Sequence, residues 1–190
     1  MTGLLAISDL VVKRRPKIFE RRAGYDLLDL HGTVMGSVEQ SGRDNLEKAL
    51  RPSRSDNARS FFEMCIPPGS VALRLTHLQA MKSSLTVALP DGSEVGSIHL
   101  QNYFGKSRFV LEAEGAQVGT MTAKTWRRRS FVVADQHAVE LATIDMTRGS
   151  SGDHSHKNEY VVRIDSGAAG PFRLLAVAAV IAVDTILWNR

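Results

Sequence analysis

The sequence predicts a mainly β protein, a closed antiparallel barrel of about twelve strands around one central hydrophobic helix at the carboxy-terminal end. Three observations lead there. A strand, glycine turn, strand pattern recurs along the chain, no strong helical pattern separates the copies, and the last segment is apolar on every face.

At 190 residues and 43% hydrophobic, the chain is sized for one domain spanning residues 1–190, with a substantial core. Its formal net charge of +4 favours an anionic partner, either an acidic membrane surface or nucleic acid. A single cysteine, Cys65, excludes an internal disulfide framework and fits a reducing compartment. Met1 to Val12 has no basic start, long apolar run or cleavage site, and position 2 is Thr rather than the Gly of an acylation motif. The expectation is a cytoplasmic protein, peripheral at a membrane, without a signal peptide.

Taken in order, Ile7 to Val12 carries the first strand signal, and the cations Lys13, Arg14, Arg15, Lys17, Arg21 and Arg22 follow it, offset locally by Glu20. Tyr25 to Val38 reads as strand, glycine turn, strand. The polar stretch of about 41–58 is expected to be a flexible loop, with one or two helical turns over Asp44 to Leu50. Strand signals resume at Phe61 to Ile66, break at Pro67-Pro68-Gly69, and continue over Val71 to Leu78. Leu85 to Ile98 and Phe109 to Met121 repeat the hairpin pattern, and Phe131 to Ile144 is a fourth, weaker copy. Residues 149–157 form a second expected loop, Glu159 to Asp165 is the last strand, and the helix covers about 171–188.

In the first three copies a turn glycine (Gly32, Gly92, Gly115) stands four residues before a second glycine (Gly36, Gly96, Gly119). The first suits a tight turn requiring positive φ. The second lies inside a strand, where glycine marks a bulge or the close approach of another backbone. The fourth copy has Ala142 in the second position. A phosphate-cradling loop would open a helix with its glycines, whereas these lie between β-rich segments. Hairpins without intervening helices imply an antiparallel meander.

The terminal helix opens on Pro171 after Gly170, and every residue from Leu174 to Val183 is apolar. That run is shorter than the roughly 18 to 20 residues needed to cross a bilayer, so a buried core helix is expected. Its packing residues are Leu174, Leu175, Val177, Val180, Ile181, Val183, Ile186, Leu187 and Trp188. Closing the strands into a barrel removes both sheet edges and leaves an apolar interior, which this helix fills.

Several ordered segments together resemble the phospholipid scramblase and LURP-one-related family, whose fold is the tubby carboxy-terminal domain. They are Tyr25-Asp-Leu-Leu-Asp with Gly32 and Gly36, Asp91-Gly-Ser-Glu-Val-Gly, Trp126 leading to Phe131-Val-Val-Ala-Asp, and the ending Ala176 to Trp188. The resemblance spans roughly Leu10 to Arg190 and implies a twelve-stranded barrel around a hydrophobic helix. It also implies phosphoinositide-like headgroups as ligands, with movement of lipid between leaflets as an alternative activity. Where the family places its acidic calcium segment, this chain has Asp165-Ser-Gly-Ala-Ala-Gly with one carboxylate, which falls short of the six to eight oxygens calcium takes. The animal members' palmitoylated cysteine cluster and proline-rich amino-terminal arm are absent as well, and Cys65 reads as a small hydrophobe within a strand.

No catalytic constellation stands out, and no cofactor is expected. Asp153, His154 and His156 share a Gly/Ser loop but lack the further ligands of a closed metal site, and His31, His77, His99 and His137 are scattered among turns and strands. Asp184, the acid inside the apolar helix, either lies at the barrel mouth, capping or pairing with a basic residue, or marks an intramembrane site; the helix's shortness favours the mouth.

The binding candidates are the two basic clusters. Lys13, Arg14, Arg15, Lys17, Arg21 and Arg22 form one, and Lys124, Arg127, Arg128 and Arg129 beside Trp126 form the other. The expected function is non-enzymatic binding of an anionic membrane surface or a protein partner. Scrambling with the helix inserted, or carriage of a small hydrophobic ligand in the barrel, are the alternatives. Nucleic acid ranks lower, because aromatic content is 6% and no nucleic-acid motif is present.

Overall fold

The computed structural model describes residues 7–15, 24–41, 58–79, 83–102, 105–148 and 158–188. Among these, twelve strands follow one another: β1 (Asp9–Arg14), β2 (Gly24–Leu28), β3 (Val34–Gln40), β4 (Ala58–Cys65), β5 (Val71–Gln79), β6 (Ser84–Ala88), β7 (Glu94–Asn102), β8 (Arg108–Ala113), β9 (Ala116–Ala123), β10 (Ser130–Asp135), β11 (Glu140–Arg148) and β12 (Asn158–Ile164). Each pairs antiparallel with the next, and β1 pairs with β12, so the sheet closes. The helix α1 (Gly170–Val183) follows and runs into a π-helical turn, Asp184–Trp188. The barrel and its helix are those the sequence predicts. The first strand sits later than Ile7 to Val12, because pairing with β12 runs from Asp9↔Arg163 to Lys13↔Glu159.

An up-and-down meander has two ends. At one, the tight turns join β2 to β3, β6 to β7, β8 to β9 and β10 to β11; at the other, β1 ends at Arg14 and β2 begins at Gly24. These are called the Gly32 end and the Arg14 end below.

The repeated glycines have a shared geometry at the Gly32 end. In each copy the ladder skips one residue: Leu27 pairs with Gly36 but Leu28 with Val34, and Val87 pairs with Gly96 but Ala88 with Glu94. The same skip occurs at Leu111↔Gly119 and Glu112↔Gln117, and at Val133↔Ala142 and Ala134↔Glu140. The extra residue is Met35, Val95, Val118 or Leu141, an apolar side chain packed in or against the core. A β-bulge thus adds one apolar side chain per hairpin at this end of the barrel. The following glycine is required where the neighbouring backbone closes in: a Cβ on Gly36 would stand 2.0 Å from the Cys65 carbonyl oxygen, and one on Gly96 would stand 2.1 Å from that of Glu112.

Along the strands, buried and less buried side chains alternate, as a closed sheet with one face inward requires. The inward set, including Leu10, Leu27, Leu75, Leu111 and Val162, meets α1, in which every residue from Phe172 to Val183 is buried. Burial continues through Asp184, Thr185, Ile186 and Leu187. A helix with no polar stripe is stable in water only when enclosed on all sides, and here the sheet encloses it. By length and composition alone, the 19-residue segment Gly170–Trp188 would also qualify to cross a membrane.

The helix enters at the Gly32 end. Arg173 fixes that entry: its Nη2 donates to the Ile7 carbonyl at 2.6 Å, and its Nη1 to the Asp165 and Ala168 carbonyls at 3.1 Å each. A cation in a helix's first turn opposes the backbone dipole, and these carbonyls supply the compensating negative ends.

Candidate functional site

At the Arg14 end the helix meets the barrel through Asp184. The carboxylate is fully buried and accepts from the hydroxyls of Tyr25 and Tyr160, both at 2.7 Å, while Arg14 Nη1 lies 3.1 Å away. Register explains the meeting. Arg14 pairs with Tyr25 across β1 and β2, and Val12 pairs with Tyr160 across β1 and β12, so three adjacent strands deliver their donors to one spot. Burial, and then the Asp184 charge, raise the Tyr25 hydroxyl well above its ordinary pKa, so it stays a proton donor. Of the two roles the sequence leaves open for Asp184, the geometry is that of pairing with a basic residue.

This changes the first basic cluster. Arg14 turns inward to Asp184, and Arg15 is held by Asp26 and Glu39, each at 2.6 Å. Lys13 is exposed. Lys17, Arg21 and Arg22 lie outside the described residues, as do Asp153, His154, His156 and the helical turns expected over Asp44 to Leu50.

The second cluster occupies the connection between β9 and β10, also at the Arg14 end. Lys124, Arg127 and Arg129 are exposed there, with Arg128 half-buried at a φ of 54°. Backbone bonds hold the turn's shape: Lys124 N donates to Ser130 O, Arg128 N to Thr125 O, and Met146 N to Arg129 O. Trp126, at the centre, is 71% exposed, with the Arg127 guanidinium 5.4 Å from its ring centroid. No acidic residue stands between Ala123 and Ser130.

Lys106 and Arg108, which belong to neither basic cluster of the sequence, join this patch. They precede and open β8, some sixteen to eighteen positions before Lys124, and nothing in their local sequence marks them. The pairing Arg108↔Thr122 and the bond from Ala123 N to Ser107 O place the two segments side by side. Trp188, 44% exposed, ends the π-helical turn at the same end of the barrel.

At the Gly32 end, four described aspartates have a structural cause. Asp29, Asp91, Asp135 and Asp165 each accept backbone amides of their own turns, from Thr33 and His31, Ser93, Val139 and His137, and Gly167 respectively. Such Asx turns are the reason aspartate is chosen. Amide donation from Thr33 holds the Asp29 carboxyl below its usual range, and the Ser93 hydroxyl and amide do the same for Asp91. Acids at the Gly32 end shape turns, whereas the exposed cations of residues 124–129 have no comparable role in the backbone.

One constellation looks catalytic by composition. Ser97 Oγ lies 2.7 Å from His99 Nε2, and Glu112 Oε2 lies 3.3 Å from that same nitrogen. A relay needs nucleophile and orienting acid on different ring nitrogens, and both groups here meet Nε2, so the arrangement is a cross-strand polar contact. His77 is buried with Nε2 unpaired, and desolvation lowers its pKa to about 4. Cys65 is half-buried, and burial, with Glu63 and Glu39 nearby, pushes its thiol up and away from reactivity. Among the described residues no three His, Cys, Asp or Glu side chains are grouped to hold a metal.

Comparison of the chain with protein-family models, with curated proteins and with solved structures finds no match.

Proposed function

We propose that this chain is a non-enzymatic, scramblase-like barrel that docks its Arg14 end on anionic membrane surface. The observation that carries the reading is the segregation of charge by role. Among the described residues, Asp29, Asp91, Asp135 and Asp165 at one end cap turns, while Lys106, Arg108, Lys124, Arg127 and Arg129 form an exposed cationic patch at the other, beside an exposed tryptophan. Each cation near an acidic bilayer contributes about 1 kcal/mol, so together they support reversible, salt-sensitive docking. Phosphoinositides and phosphatidylserine both present the required anionic headgroup.

Scrambling with α1 inserted would first require withdrawing a buried carboxylate from Tyr25, Tyr160 and Arg14. Carriage of a hydrophobic ligand would require displacing the same helix. Surface docking needs neither change, which is why it is preferred to both.

Vesicle sedimentation tests the reading. Wild-type protein is expected to pellet with vesicles containing phosphatidylserine and not with pure phosphatidylcholine, and to be released by rising salt. Arg127→Glu/Arg129→Glu is expected to abolish pelleting while leaving the fold intact. Equal pelleting of wild type and variant, or none with either lipid, refutes it.

A further inference from the structure

We infer that the β9–β10 connection is an insertion element, in which Trp126 enters the headgroup layer of an anionic bilayer and Lys124, Arg127 and Arg129 bind the phosphates around it. This rests on the docking reading above and adds the residue that penetrates and the depth it reaches.

Four observations carry it. Trp126 is 71% exposed, so its ring does not serve the core. Its turn is fixed in shape by backbone bonds of 2.8 Å (Lys124 N to Ser130 O), 3.1 Å (Arg128 N to Thr125 O) and 2.7 Å (Met146 N to Arg129 O), so the backbone that displays the ring needs no further ordering on binding. Arg127 sits 5.4 Å from the ring centroid, which places a cation where the indole would meet phosphate. Finally, the patch lies at an end of a closed barrel, beyond the last ladder pair Phe131↔Ala123.

The indole, with an apolar body and one N–H donor, suits the boundary between headgroup and acyl chain better than either water or hydrocarbon. A single-stranded nucleic acid would use successive aromatic platforms along a basic groove. Between Ala123 and Ser130 there is one aromatic ring, Trp126, set among cations rather than in a row of rings, and this favours the membrane as the partner.

The chain has two tryptophans, so Trp188→Phe leaves Trp126 as the reporter. With phosphatidylserine/phosphatidylcholine vesicles, its emission is expected to shift to the blue, and phosphatidylcholine brominated near the top of the acyl chain is expected to quench it more than deep bromination does. Trp126→Ala, with an unchanged circular dichroism spectrum, is expected to weaken vesicle affinity about tenfold. Sedimentation with unshifted, unquenched Trp126 overturns the insertion and leaves docking standing. Absence of sedimentation overturns docking, and the insertion with it. An emission shift with single-stranded DNA and none with vesicles overturns both in favour of nucleic acid.

Discussion

Replacing Arg14 by Met probes the point where the helix is locked to the barrel. The substitution keeps most of the aliphatic stem and removes the cation 3.1 Å from Asp184, whose side chain is 0% exposed. Tyr25 and Tyr160 remain as donors, but they are neutral. Breaking a buried ion pair by removing one partner costs about 3–5 kcal/mol, and the lower end applies because the Arg14 side chain is itself 16% exposed. A loss of about 3 kcal/mol lowers the melting temperature of a domain this size by about 6–12 °C. Asp184→Asn removes the charge but keeps the volume and a carbonyl acceptor, and is expected to cost about 1–2 kcal/mol. The double variant is expected to be about 2 kcal/mol more stable than the sum of the single losses implies, because the buried charge that Arg14 faced is then gone as well. Urea unfolding of the four proteins completes the cycle. Strictly additive effects, or a loss below about 0.5 kcal/mol for Arg14→Met, refute the assignment of the pair as the lock.

Other consequences follow from the same geometry. His77 has a folded pKa of about 4 against an ordinary 6.5, so the unfolded chain binds its proton first; stability attributable to it is intact above about pH 6.5 and lost as pH falls toward 4, by about 3 kcal/mol in all. Urea midpoints across that window are expected to fall for wild type and to be flatter for His77→Leu; identical slopes contradict this. Ala138 takes the first-glycine position of the fourth hairpin at a φ of 64°, so Ala138→Gly trades about 1–2 kcal/mol of backbone strain against about 0.5–1 kcal/mol of added freedom in the unfolded chain. The expected gain is about 0.5–1 kcal/mol, and a melting temperature that falls counts against it. Gly36→Ala drives a Cβ to within 2.0 Å of the Cys65 carbonyl oxygen and is expected to cost about 1–3 kcal/mol, measured as a lower urea midpoint; no change would mean that β3 and β4 separate freely there.

What was legible in the sequence was what local chemistry dictates. The paired glycines reported turns and bulges because only glycine meets both demands cheaply: positive φ at Gly32, Gly92 and Gly115, and a facing carbonyl at Gly36 and Gly96. The unbroken apolar helix reported its own enclosure. Contacts created by register were not legible. Arg14 and Arg15 read as part of a free basic run, yet β1–β2 and β2–β3 pairing bring them to Asp184, Asp26 and Glu39. Conversely, Lys106 and Arg108 carried no local signal and join Lys124 only because β8 and β9 form a hairpin. Arg14, Tyr25 and Tyr160 reach Asp184 from positions far apart in the sequence, brought together by the pairing of β1 with β2 and with β12.

Hydrogen–deuterium exchange on protein bound to phosphatidylserine vesicles tests end-on docking most directly. Amides of residues 105–108 and 124–129 are expected to exchange more slowly on vesicles than in solution, while those of the turns at 29–33, 91–93 and 135–139 keep their solution rates. Protection at the Gly32 end instead, or unchanged exchange at residues 124–129 in vesicle-bound protein, would contradict it.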